Sequence, residues 1–133
     1  MKASRSGAAA AEFALIIPVF TTLLFGGFEF GMIAYSTSAL QLAANVIARD
    51  VAVNNLDVEA ATEKLQPYLP GYLQGHVSMS MSQSNPGDPR LNSVQVQLQA
   101  PSTSATPISI VSQAASWTVS VRANVQQELP YVD

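Results

Sequence analysis

From Phe13 to Phe28 the chain runs for sixteen residues, Phe-Ala-Leu-Ile-Ile-Pro-Val-Phe-Thr-Thr-Leu-Leu-Phe-Gly-Gly-Phe, without a charge and apolar on every face. With the alanines from Ala8 and the continuation to Tyr35, 28 residues hold only two charges, Glu12 and Glu29. At about 1.5 Å of rise per helical residue, Glu12 and Glu29 stand roughly 25 Å apart, close to the ~30 Å hydrocarbon thickness of a bilayer. The two carboxylates bracket a membrane span, so membrane lipid is the first expected partner. Lys2 and Arg5 precede the span and no acidic residue does. The positive-inside tendency then predicts a single pass with the N-terminus in the cytoplasm and everything after Tyr35 across the membrane.

A cleaved secretory signal shares this orientation, and Thr37-Ser38-Ala39 offers it a small-residue cleavage site. An ordinary signal core is about 7 to 15 residues long and carries no carboxylate at its start. This one is longer and begins behind Glu12. A plain membrane anchor is the other competing reading.

Composition narrows the chemistry. Only 11% of the 133 residues are charged, and six Lys and Arg against nine Asp and Glu leave a net charge of -3. That is no basic field for nucleic acid, and none is expected as a partner. The chain has no cysteine, so disulfides, thiolate nucleophiles and Cys-ligated metals are excluded. Its one histidine, His76, cannot build a multi-histidine metal site. Ser78, Ser80 and Ser82 lie near His76, and on a strand they would share its polar face, but no acid is placed to orient it. Asn85, Asp88 and Asp133 lack calcium-loop spacing. We expect no catalytic residue, no metal and no cofactor.

Beyond Tyr35 the helical pattern continues. Leu40, Ala43, Val46, Ile47 and Val51 recur at three- and four-residue spacing, while Gln41, Asn45 and Arg49 fall on another face. One helix of about 40 residues is predicted, uniformly apolar in its first half and amphipathic in its second, so the outer half must lay its stripe on something. The remainder supplies the surface. Asp57 or Asn55 can cap a second helix from Val58 to about Gln66, ended by Pro67, Pro70 and Gly71. Val77, Met79 and Met81 alternate with serines in a first strand, and Asn85 to Pro89 make a turn. Val94, Val96 and Leu98 alternate with glutamines in a second strand. Trp117, Val119, Val121, Ala123 and Val125 alternate with polar residues in a third. The stretch from Ile108 to Ala115 reads equally as strand or short helix. The expected fold class is α+β: a long N-terminal transmembrane and stalk helix packed on a small antiparallel sheet of about three strands. The expected division is a leader over 1–7, the transmembrane and stalk helix over 8–53, and a small extracytoplasmic head over 54–133.

The most specific signal is Gly7-Ala8-Ala9-Ala10-Ala11-Glu12-Phe13, where a glycine closes a short basic leader and a glutamate follows five positions later. This resembles the class III signal of type IV pilin-like proteins. That resemblance implies cleavage by a prepilin peptidase between Gly7 and Ala8, leaving the apolar helix as the new N-terminus. Ala8 and Glu12 would then share a helix face, and the new ammonium and the Glu12 carboxylate can neutralise each other within a chain or between neighbours. A paired charge is tolerated in apolar surroundings where an unpaired one is costly, so Glu12, with Phe13 after it, can set subunit register.

The run Arg5 to Leu15, the proline at Pro18 and Gly27-Phe28-Glu29-Phe30-Gly31 narrow the resemblance to the TadE-like family, minor pseudopilins of the Tad, or Flp, type IVc pilus. Phe13 and a full head separate this chain from the shorter major pilins, which usually carry Tyr after the glutamate. The alanines Ala8 to Ala11 separate it from type II secretion pseudopilins. The resemblance implies a pilin-like, non-enzymatic subunit, first in the bacterial inner membrane with its head in the periplasm and then in an extracellular pilus. It also implies the prepilin peptidase, the major and other minor pilins, and the inner-membrane assembly platform as partners. Gly27 and Gly31 form a small-xxx-small spacing suited to helix packing, though such spacings are common in membrane helices. Pro18 removes the hydrogen bond to the Ala14 carbonyl and should kink or locally unwind the helix. Glu29 either contacts an assembly partner or marks the outer membrane interface.

Overall fold

A computed structural model describes residues 5–54 and 56–127. Leader residues 1–4, Asn55 as an alternative cap, and Asp133 lie outside the described residues. The N-terminal helix, α1, covers Arg5–Asn54, 50 residues, longer than the predicted 40 and running past both ends of the expected 8–53 segment. It stays helical through Pro18, so the proline does not unwind it. One turn further on, the Thr22 hydroxyl donates to the Pro18 carbonyl at 2.8 Å.

The second helix, α2 (Val58–Leu65), is capped by Asp57, whose carboxylate accepts from the Ala60 amide at 2.8 Å. Pro67 turns its end into a short 3₁₀ segment, Gln66–Tyr68. Gly75, at φ +78°, allows the left-handed backbone just ahead of the first strand, where a side chain would be strained. The strands β1 (Ser78–Gln83), β2 (Ser93–Pro101) and β3 (Thr118–Gln126) form an antiparallel sheet in the order β1-β2-β3. Three positions depart from expectation, the first being Val77, which stands one residue ahead of β1. His76 is exposed and precedes β1, its amide closing a turn on the Leu73 carbonyl, so it shares no strand face with the serines. Trp117 stands one residue ahead of β3.

Period-two alternation decides which sheet face is buried. Val94, Val96, Leu98 and Ala100 of β2 and Val119, Val121 and Ala123 of β3 all point to the core, and the register places Val96 opposite Ala123 and Leu98 opposite Val121. Met79 and Met81 on β1, opposite Leu98 and Val96, are only half-buried. The outer half of α1 lies on this face through Leu40, Ala43, Ala44, Ile47, Ala48 and Val51, and Ala61 and Leu65 of α2 close the core beside it. The alanines bring helix and sheet close together, and Leu40, Ile47 and Leu98 fill the space between them. Gln41 adds a hydrogen bond from its amide to the Arg122 carbonyl at 2.9 Å. Asn92, almost fully buried, ties the strand ends. Its amide donates to Gln83 at 3.1 Å and Gln127 at 2.7 Å, and its oxygen accepts from the Asn85 backbone at 2.9 Å.

Candidate functional site

The two halves of α1 meet different surroundings. Through the first half the large apolar side chains, including Phe13, Leu15, Ile16, Phe20 and Leu23, are all exposed. The helix is long and apolar enough to cross a membrane, and none of its most apolar stretch is covered by the head. These features suggest a single-pass membrane protein. The head begins to cover the helix at Gly26, where a Cβ would lie 3.6 Å from a Val111 methyl. The buried positions then climb one face through Glu29, Ile33, Ser36 and Leu40 at three- and four-residue steps. The segment left uncovered by the head is therefore residues 7–25, and Glu29 stands one turn beyond it.

Glu29 is fully buried, under its own head. The loop between β2 and β3 carries a one-turn helix, α3 (Val111–Ala114), so the stretch 108–115 is a single helical turn flanked by loop, and no strand. The first amides of such a turn have no intrahelical acceptor, and α3 has no side-chain cap from its own cap residue. Glu29 supplies one from 81 to 83 residues away. One carboxylate oxygen accepts from the Ile110 amide at 2.8 Å and the Val111 amide at 2.7 Å, and the other accepts from the Ser112 amide at 2.8 Å. Three amide dipoles converging on one carboxylate are a strong site for negative charge. The Ser112 hydroxyl beside it is buried without a well-formed hydrogen bond of its own. Burial alone would push the Glu29 carboxyl up. The nearby Ser112 hydroxyl and the three amides more than offset that, holding it at about 2 against an ordinary 4.5.

Above this latch, the Ser36 hydroxyl donates to the Ala105 carbonyl at 2.6 Å and lies 2.9 Å from the Tyr72 hydroxyl. Next to Glu29 along α1, Phe30 stacks on Trp117.

Of the residues singled out from the sequence, only Glu29 is joined to the head. Gly7, Ala8, Glu12 and Phe13 lie exposed on the free half of the helix, with Ala8 and Glu12 one helical turn apart. Pro18 is exposed in the same half. Gly27 and Gly31 are exposed, and a Cβ at either would meet nothing within 4 Å. Any packing they support lies with another chain. Sequence reasoning missed Gly26, Ser36, Tyr72 and Asn92. The signal for the first two was present, because the stripe Leu40, Ala43, Ile47 extends backwards to Ser36, Ile33, Glu29 and Gly26 at the same spacing. Among the described residues, no group of three or more His, Cys, Asp or Glu could hold a metal ion.

A single helix, free in its apolar lower half and packed in its upper half on a small three-stranded antiparallel sheet, gives an α+β architecture in which the free half is long and apolar enough to cross a membrane. Residues 7–49 match the family model described as TadE-like protein. This is the family that the Arg5–Leu15 run and the Gly27–Gly31 segment resemble. The match covers about a third of the chain, beginning at Gly7 and ending within the outer half of α1. No curated protein and no solved structure gives a significant match.

Proposed function

We propose that this chain is a minor pilin-like subunit of a Tad (Flp) type IVc pilus system. A prepilin peptidase cuts it after Gly7, and it is then incorporated into the pilus or primes its assembly, supporting adhesion and biofilm formation. The observation that carries this reading is the family match over 7–49, which covers Gly7, Ala8 and Glu12 together with the exposed apolar helix. An extended apolar helix without a partner in its own chain has two natural environments, lipid before assembly and neighbouring pilin helices after it. In the membrane the chain is inserted with its head in the periplasm, and its partners are the peptidase, the assembly platform, the major pilin and the other minor pilins. The chain acts by packing and requires no catalytic residue.

Sheared pili probed for this chain test the proposal. The chain should appear in the pilus fraction in a peptidase-dependent way, and Glu12→Ala should sharply reduce its incorporation. A chain confined to the inner membrane in piliated cells would leave an ordinary single-pass anchor presenting a periplasmic head.

A further inference from the structure

The underside of the head, where it meets the helix, differs in chemistry from the rest of the molecule. Between Arg90 and Arg122 no residue is charged, and the whole connection from β2 to β3 falls in that stretch. This connection leaves Ile110 and Trp117 partly exposed, and Phe28 and Phe30 of α1 are exposed at the same level of the chain. Trp117 lies over Phe30 with ring centroids 6.1 Å apart and planes 14° from parallel. The pair forms an aromatic rim, with Trp117 keeping 36% of its surface open.

The level of this rim along the helix axis indicates what it faces. Gly26, where the head first touches the helix, lies about 27 Å above Ala8, and Phe30 about 6 Å higher still. A hydrocarbon core of about 30 Å within a bilayer of about 40–45 Å leaves a headgroup layer roughly 5–7 Å thick on each side. With residues 8–25 in the hydrocarbon, Phe30 and Trp117 fall inside the outer headgroup layer, the zone where amphipathic aromatic rings concentrate. The polar side chains of the connection are serines, threonines and one glutamine, and such groups can exchange hydrogen bonds with headgroups and water alike.

We infer that the loop Ile108–Trp117, together with Phe30, docks on the outer-leaflet headgroup layer of the membrane that α1 crosses. The head is then held down on the bilayer instead of standing clear of it. Glu29 makes this arrangement possible, because it fixes Ile110 to Ser112 at the point where the helix leaves the lipid. Lipid is favoured over a second copy of the chain because the rim continues the exposed apolar surface of Phe13 to Phe28 without a charged break. The inference rests on the membrane-spanning reading of α1 and is independent of the pilus assignment.

Trp117 is the only tryptophan, so its emission reports this rim directly. The intact chain is reconstituted in phosphatidylcholine vesicles and recovered by flotation. It is then read with lipids brominated close to the glycerol, with lipids brominated near the chain ends, and with aqueous acrylamide. The expected result is the greatest loss of emission with the shallow bromines, a smaller loss with the deep ones, and weaker acrylamide quenching than for the same chain in denaturant. Emission open to acrylamide and untouched by either lipid would place the rim in water and overturn the proposal. Emission shielded from both lipid and acrylamide would place a second copy over the rim and overturn it equally. A chain that fails to float would overturn the membrane-spanning reading together with this one.

Discussion

Removing the Glu29 carboxylate should detach the underside of the head from the helix. The carboxylate accepts three amide hydrogen bonds of 2.7 to 2.8 Å in a fully buried position. Hydrogen bonds to a charged group contribute about 1.5–3 kcal/mol each, and each buried donor left unpaired costs about 1–3 kcal/mol. The three bonds share one carboxylate and do not add fully. Partial rehydration of the opened loop also returns some of the loss, so Glu29→Ala should destabilise the head by about 3–5 kcal/mol. Glu29→Gln keeps one acceptor oxygen but turns an N–H towards an N–H, and should cost about 2–3 kcal/mol. Denaturant unfolding in detergent, followed by Trp117 emission, gives the total. Hydrogen exchange at the Ile110, Val111 and Ser112 amides localises it, and exchange should rise there first. Because the folded carboxyl is held below its unfolded value, its stabilisation is fully present above about pH 4.5 and is lost as pH falls towards about 2. The Glu29→Gln chain should lack that acid limb. A Glu29→Ala chain within about 0.5 kcal/mol of the parent, the range of ordinary surface substitutions, would refute the latch.

Three other substitutions probe separate parts of the structure. Leu40→Ala empties a fully buried position between α1 and the sheet and should cost about 2–5 kcal/mol in the same unfolding assay. Asn92→Ala removes the amide that joins Gln83, Asn85 and Gln127. It should cost about 1–3 kcal/mol and raise hydrogen exchange at the ends of β2 and β3 before it does at their centres. Gly27→Ala and Gly31→Ala meet open space, and alanine is favoured over glycine in a helix by about 1 kcal/mol. Both should leave the isolated chain as stable as before or slightly more so, and a loss of pilus incorporation in either would then report helix packing between chains.

The architecture was largely readable from periodicity. The uncharged run from Phe13, the stripe from Leu40 to Val51 and the alternation in β2 each point to one burial pattern, and Asp57 followed by an acidic first turn marks the start of α2. The candidate site was harder to read, for a physical reason. Glu29 looked like the outer boundary of a membrane span because its partners, the amides of Ile110 to Ser112, carry no side-chain signature and lie more than 80 residues away. Stretch 108–115 reads equally as strand or helix because a single helical turn is too short to show a period. It exists because a distant carboxylate caps it. The first half of α1 posed the opposite difficulty. Gly7, Ala8, Glu12, Phe13, Gly27 and Gly31 stand out in the sequence, yet within the described residues they are exposed and make no tertiary contact that identifies a role.

The central claim is that the exposed apolar helix is a processed pilin N-terminus. The intact mass of the chain, extracted from membranes of cells with and without the prepilin peptidase, tests it most directly. The account predicts a peptidase-dependent product beginning at Ala8, which has 126 residues once seven of the 133 are removed. A chain still beginning at Met1 when the peptidase is present would contradict it and leave an ordinary anchor, and one beginning at Leu40 would contradict it in favour of a secreted domain.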